Sequence, residues 1–61
     1  MIKVTYRVQL RNEEGENYRH FNIDVKGTDS VEREKELIKN IKQMHPEAAR
    51  YSFQEISRED V

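Results

Sequence analysis

The chain has 61 residues, of which 11 are basic and 12 acidic, so its formal net charge is −1 and charged side chains make up 38% of it. A chain of this length forms one small domain and leaves no room for a catalytic domain with a separate substrate domain. It contains no cysteine, which excludes a disulfide framework and a thiolate metal site and favours the reducing cytoplasm.

The first residues alternate strictly between apolar and polar side chains. From Ile2 to Leu10 every even position is apolar and every odd position is polar. This period of two is typical of a strand with one buried face. It predicts a strand over 2–10 and differs from the continuous apolar block of a signal peptide.

A second alternating segment predicts a strand over 17–25, whose buried face includes Phe21 and Ile23. Asn12 and Gly15 suit the start and the end of a tight loop, so 12–15 is interpreted as a hairpin loop. A four-residue loop sets a register in which apolar and polar residues pair on separate faces. The predicted pairs are Arg11–Glu16, Arg7–His20, Thr5–Asn22 and Lys3–Asp24 on one face, and Tyr6–Phe21, Val4–Ile23 and Ile2–Val25 on the other.

Residues 31–45 have the spacing of an amphipathic helix. Asp29, with Glu32 three residues later, predicts a capping box at the N-terminus, and Ser30 is the competing cap. Pro46 ends the helix, because the residue before a proline avoids the helical conformation. The predicted apolar stripe consists of Val31, Leu37, Ile38, Ile41 and Met44.

The last segment predicts a short third strand at about 50–56, with Tyr51 and Phe53 on one face and a bulge near Glu55. Residues 57–61 are predicted to form a loose tail. A helix that crosses the sheet returns the chain beside the first strand. We therefore predict an α+β fold, a two-layer ββαβ domain whose three-stranded antiparallel sheet has the order 2-1-3, with one helix packed on one face.

No group of residues has the spacing of a catalytic or metal site. His20 and His45 are isolated in the sequence, and the two glycines lie at chain reversals rather than in a phosphate-binding loop. A single helix over three strands offers little of the concave surface that paired catalytic carboxylates need. The sequence thus predicts a non-enzymatic protein without a cofactor or a metal, and it has no run of roughly 20 apolar residues that would span a membrane.

Two surfaces remain as candidates for binding. The first is the sheet face away from the helix, with the candidate residues Lys3, Arg7, Gln9, Tyr18 and His20. Basic and aromatic side chains on a sheet are typical of single-stranded nucleic-acid binding, which the near-zero net charge makes the alternative hypothesis. The second is a free strand edge, which pairs with a partner strand or a second copy. The leading hypothesis is a small cytoplasmic accessory protein that acts as a protein-interaction module and self-associates as a homodimer.

Overall fold

The computed structural model describes all residues 1–61 and contains three strands and one helix. The elements are β1 (Ile2–Arg11), β2 (Asn17–Gly27), α1 (Ser30–Met44) and β3 (Arg50–Asp60). The strands form one antiparallel sheet in the order β2-β1-β3, and α1 lies on one face of it. The predicted two-layer α+β fold is confirmed.

The hairpin loop between β1 and β2 is held by one side chain. The Asn12 carboxamide oxygen accepts hydrogen bonds from the backbone N–H groups of Glu14 and Glu16, at 3.1 and 3.0 Å. Gly15 has φ +84°, in the left-handed region that glycine adopts without steric cost. The loop therefore takes in Glu16 and is one residue longer than predicted.

The predicted register of the hairpin is wrong by two residues. Tyr6 lies opposite Ile23 rather than Phe21, and Arg7 lies opposite Asn22 rather than His20. One residue of the shift comes from the longer loop, and the other from a bulge in β2 at Tyr18, where the register changes. Because a shift of two keeps the paired side chains on their faces, the predicted division into buried and exposed faces holds except at Tyr18, which lies in the bulge.

The helix begins where the capping residues indicate. Asp29 is the N-cap, and its carboxylate accepts a hydrogen bond from the Glu32 N–H at 2.8 Å. The Glu32 carboxylate accepts from the Thr28 hydroxyl at 3.2 Å. At the other end, the N–H of the C-cap residue His45 donates to the Ile41 carbonyl, one residue before Pro46.

The stripe that α1 buries differs from the predicted one. Its buried residues are Arg33, Leu37 and Ile41, which follow one another at every fourth position. Val31 and Met44, both predicted to face the core, are 60% and 51% exposed. The helix packs chiefly on β2, an edge strand, so only a narrow row of its residues faces the sheet.

The third strand is longer than predicted, and the loose tail at 57–61 is wrong. β3 continues to Asp60, and the Val61 N–H donates to the Met1 carbonyl at 2.9 Å. Lys3 forms an ion pair with Glu59 across the two strands at 3.2 Å. Backbone pairing with β1 thus holds residues 57–60 in the strand, although the polar side chains of this segment do not by themselves predict a strand. The predicted bulge is present, because the register of β3 shifts at Ile56.

The core is small and lies between α1 and the central strand. Seven apolar side chains are buried, namely Val4, Tyr6, Val8, Leu10, Val25, Leu37 and Ile41. Phe53 packs on this cluster from β3, with its ring 5.8 Å from that of Tyr6 in an edge-to-face arrangement. The single helix is neither long nor apolar enough to cross a membrane.

Candidate interaction surfaces

The sheet face opposite α1, here called the open face, is covered by no other element. Five of its residues are basic and two are acidic, so it carries a net charge of +3, and the rest of the molecule carries −4. The open face is therefore the positively charged part of a molecule whose remainder is negatively charged. The open face consists of Lys3, Thr5, Arg7, Gln9 and Arg11 of β1, Asn17, His20, Asn22, Asp24 and Lys26 of β2, and Arg50, Ser52, Gln54, Ser57 and Glu59 of β3.

Four of the five candidate residues lie on the open face, in two groups. Gln9 lies opposite His20, and Arg7 is exposed two residues away along β1. Lys3 lies at the other end of the strand, where its ammonium group is bound to Glu59. The structure thus brings Arg7, Gln9 and His20 together and sets Lys3 apart from them.

Tyr18, the fifth candidate, lies in the β2 bulge and turns towards the helix layer. Its hydroxyl lies beside the carboxylate of Glu47, in the segment that joins α1 to β3. Partial desolvation and the neighbouring Glu47 carboxylate raise the pKa of Tyr18. The open face therefore lacks the aromatic side chain that the sequence placed there.

Glu47 joins Tyr18 to the end of the helix. Its carboxylate lies 3.0 Å from Nδ1 of His45, and this hydrogen bond is the main cause that lowers the pKa of Glu47. The His45 ring in turn lies against Phe21 on the helix-side face of β2, with ring centroids 5.4 Å apart. The group closes the end of the molecule, where His45 also lines a shallow pocket together with Ile41, Pro46 and Tyr51.

Three exposed arginines, here called the arginine patch, lie on the open face at the hairpin end. Arg11 lies directly opposite Arg50, and Arg7 is four residues from Arg11 along β1. Sequence analysis identified only Arg7. Arg11 continues the alternation of odd polar positions by one more step, whereas the place of Arg50 depends on the β1–β3 register, which the sequence does not specify.

β3 forms the other candidate surface because it is an edge strand whose helix side is largely uncovered. Its middle part, Tyr51–Ile56, here called the β3 edge segment, contains a single charged residue, Glu55. Tyr51 and Ile56 are 37% and 48% exposed. Uncharged, apolar edge strands are the ones most prone to pair with another chain.

The position of α1 near β2 explains why the helix side of β3 is uncovered. A shallow cleft between α1 and the outer side of β2 is lined by Glu32, Glu36 and Lys39 of the helix, so that flank faces the β2 edge. Val31 and Ile38 lie on the opposite flank, which faces β3. Val31 and Ile38, which were predicted to face the core, thus border the uncovered side of β3.

Comparison with models of protein families, with curated protein sequences and with solved structures found no match to this chain.

Proposed function

We propose that this chain is a non-enzymatic protein-interaction module that associates with itself through the free edge of β3. The observation that carries the proposal is the β3 edge segment, an unpaired strand whose helix side α1 does not cover. Antiparallel pairing of two such edges about a two-fold axis would continue the sheet from three strands to six. It would also bring the exposed side chains of Tyr51 and Ile56 together with those of the second copy.

The other edge is a poorer pairing surface for two reasons. β2 carries Asp24 and Lys26 along its exposed side, and charged side chains on an edge oppose pairing. The helix also packs chiefly on β2, and one flank of α1 borders the outer side of this strand. Self-association is therefore proposed for β3 alone.

We place the module in the cytoplasm, which the absence of cysteine supports. Single-stranded nucleic-acid binding by the open face was the alternative hypothesis. It keeps the basic groups of Arg7 and His20 but loses Tyr18, the base-stacking residue on which it depended. The interaction with protein is for this reason the function that the geometry supports best.

The test is the molar mass in solution over a wide range of protein concentration, measured by sedimentation equilibrium. We expect a mass that rises from the 7.4 kDa of the monomer towards twice that value. Ile56→Lys places a charge on the β3 edge and should keep the protein monomeric. Asn22→Lys makes the same charge change on β2 and should leave the dimer intact.

Two results would contradict the proposal. One is a monomeric wild-type protein at the highest concentration reached. The other is dissociation by Asn22→Lys with no effect of Ile56→Lys, which would assign the contact to β2. Circular dichroism of each variant shows whether a loss of mass reflects loss of the fold.

A further inference from the structure

The arginine patch is costly to the isolated molecule. Side chains directly opposite each other on one face of an antiparallel pair are close neighbours, and like charges there are destabilising. Arg11 and Arg50 occupy such positions, and neither they nor Arg7 takes part in any ion pair of the molecule. Three acidic residues lie close by in the hairpin loop, yet none pairs with the patch. The patch is therefore an uncompensated cationic surface.

The geometry of the patch fits the repeat of an extended polypeptide. At about 3.4 Å per residue, four residues along β1 separate Arg7 from Arg11 by about 14 Å. An extended peptide places every second side chain on one face, so carboxylates four residues apart are separated by the same distance. The Nε group of Arg11 donates to the Asn17 carboxamide at 3.1 Å, which orients its remaining N–H groups away from β2.

The residues around the arginines distinguish a peptide from a nucleic acid. Gln9 lies between Arg7 and Arg11 on β1, and Ser52 and Gln54 lie opposite Gln9 and Arg7 on β3. All three provide neutral donors and acceptors. The open face carries no Tyr, Phe or Trp, and its single aromatic ring is the His20 imidazole, whereas single-stranded nucleic acids are held by successive bases stacked on aromatic rings. A polyanion without bases is thus the better match.

We propose that the arginine patch binds an extended acidic segment of a partner protein, with carboxylates four residues apart facing Arg7 at one end and the Arg11–Arg50 pair at the other. Arginine suits this role because its planar guanidinium binds a carboxylate through two parallel hydrogen bonds. The surface is the face of the sheet rather than its edge, so this inference stands independently of the β3 dimer.

The experiment compares two fluorescein-labelled peptides of eight residues and identical composition. One alternates glutamate and serine, and the other has all four glutamates in one block. The alternating peptide matches the spacing of the patch, and we expect its affinity, from fluorescence anisotropy at low salt, to be about fivefold higher, or about 1 kcal/mol. Equal affinities would mean attraction by net charge alone and would overturn the proposal.

Substitutions locate the contact. Arg11→Gln and Arg50→Gln should each weaken binding of the alternating peptide about tenfold, whereas Lys39→Gln makes the same charge change on α1 and should have no effect beyond about twofold. In amide NMR spectra, the shifts on titration should cluster at Gln9, Ser52 and Gln54. An equal loss with Lys39→Gln, or shifts elsewhere, would refute the assignment.

A mixed-sequence single-stranded oligonucleotide is the competing probe. If it binds more tightly than the alternating peptide and is released by Arg11→Gln, the open face is a nucleic-acid surface and the acidic segment is excluded. Arg11→Gln should self-associate as the wild type does and give the same molar mass in solution at each concentration, because Arg11 is not at the β3 edge. The result is therefore distinguishable from failure of the self-association proposal.

Discussion

Arg33 is the one charged side chain that α1 buries, and it has no acidic partner. It is 3% exposed, its Nη1 group donates to the Gly27 carbonyl at 3.2 Å, and its Nε group has no hydrogen-bond partner. Its aliphatic stem fills the space above Gly27, where an added Cβ would lie only 2.8 Å from Cγ of Arg33. The stem therefore stabilises the fold by packing, while the buried charge opposes it.

This division predicts different effects of two substitutions at Arg33. Arg33→Met keeps an unbranched stem without the charge, so the free energy of unfolding should be unchanged or higher by about 1 kcal/mol. Arg33→Ala removes the stem and should lower that free energy by about 2 kcal/mol. Urea unfolding followed by circular dichroism measures both. Equal destabilisation by the two would mean that the guanidinium contact with Gly27 is the stabilising one.

Glu47 should make the stability of the protein depend on pH in the acid range. The hydrogen bond with His45 holds the pKa of Glu47 below its ordinary value of 4.5. A carboxyl group whose pKa is lowered in the folded state stabilises it above the unfolded pKa, and this contribution is lost as the pH falls through the folded pKa.

Glu47→Gln tests this contribution. The wild type should be more stable than the variant at neutral pH, and the difference should shrink as the pH falls below about 4.5 and vanish once Glu47 is protonated in the folded state. Midpoints of urea unfolding over this range give the comparison. A difference between the wild type and Glu47→Gln that stays constant as the pH falls would contradict the role of the His45 contact.

At the scale of elements, the start of α1 depends on a single side chain. Asp29→Ala removes the acceptor for the Glu32 N–H and should lower the free energy of unfolding by about 1 kcal/mol. Asp29→Asn keeps an acceptor oxygen at the same position and should recover most of this loss. Thermal unfolding of the three proteins is sufficient, and an Asn variant as unstable as the Ala variant would point to charge rather than capping.

The pairing of β1 with β3 yields a second prediction at this scale. Arg50→Glu places opposite charges across from each other at Arg11 and should raise the free energy of unfolding by about 0.5 kcal/mol. The gain should shrink in high salt, because exposed charges are screened. Arg50→Ala, which only removes the repulsion, should give a smaller gain. A variant less stable than the wild type at low salt would show that the arginines do not repel each other.

The elements differ in how far the sequence specifies them. The periods of apolar residues predicted all four elements, and Asp29 marked the helix start, because these signals are local. The register of β1 with β2 was not local. This register depends on two features, the inclusion of Glu16 in the loop and the bulge at Tyr18. The pattern of apolar residues is the same with or without them, so it does not indicate either.

The same reason accounts for what sequence analysis found of the candidate surfaces. Arg7, Gln9 and His20 could be placed on the open face because alternation fixes the face of each residue. Tyr18 could not, since a bulge changes the alternation from that point, and Arg50 could not, since its neighbour depends on long-range pairing. The extension of β3 to Asp60 likewise came from its pairing with β1 rather than from its own polar sequence.

The whole molecule is long for the size of its core. It measures 38 × 18 × 15 Å, and its seven buried apolar residues support strands of ten and eleven residues. Domains near this size are marginally stable alone, and association commonly makes up the difference. Tyr51 and Ile56 of β3 are exposed, and a second copy paired with the β3 edge would bury them.

If folding and association are coupled in this way, the melting temperature must depend on protein concentration. A ligand that binds only the folded state stabilises it in proportion to the logarithm of its concentration, and the second copy acts as that ligand. A hundredfold rise in concentration should raise the wild-type melting temperature by about 5 °C or more. Ile56→Lys should melt at one temperature throughout. Asn22→Lys, which places a lysine opposite Arg7, should melt lower than the wild type but show the same rise with concentration. A wild-type melting temperature that does not change with concentration would mean that the small core alone sustains the fold and that the β3 edge remains free.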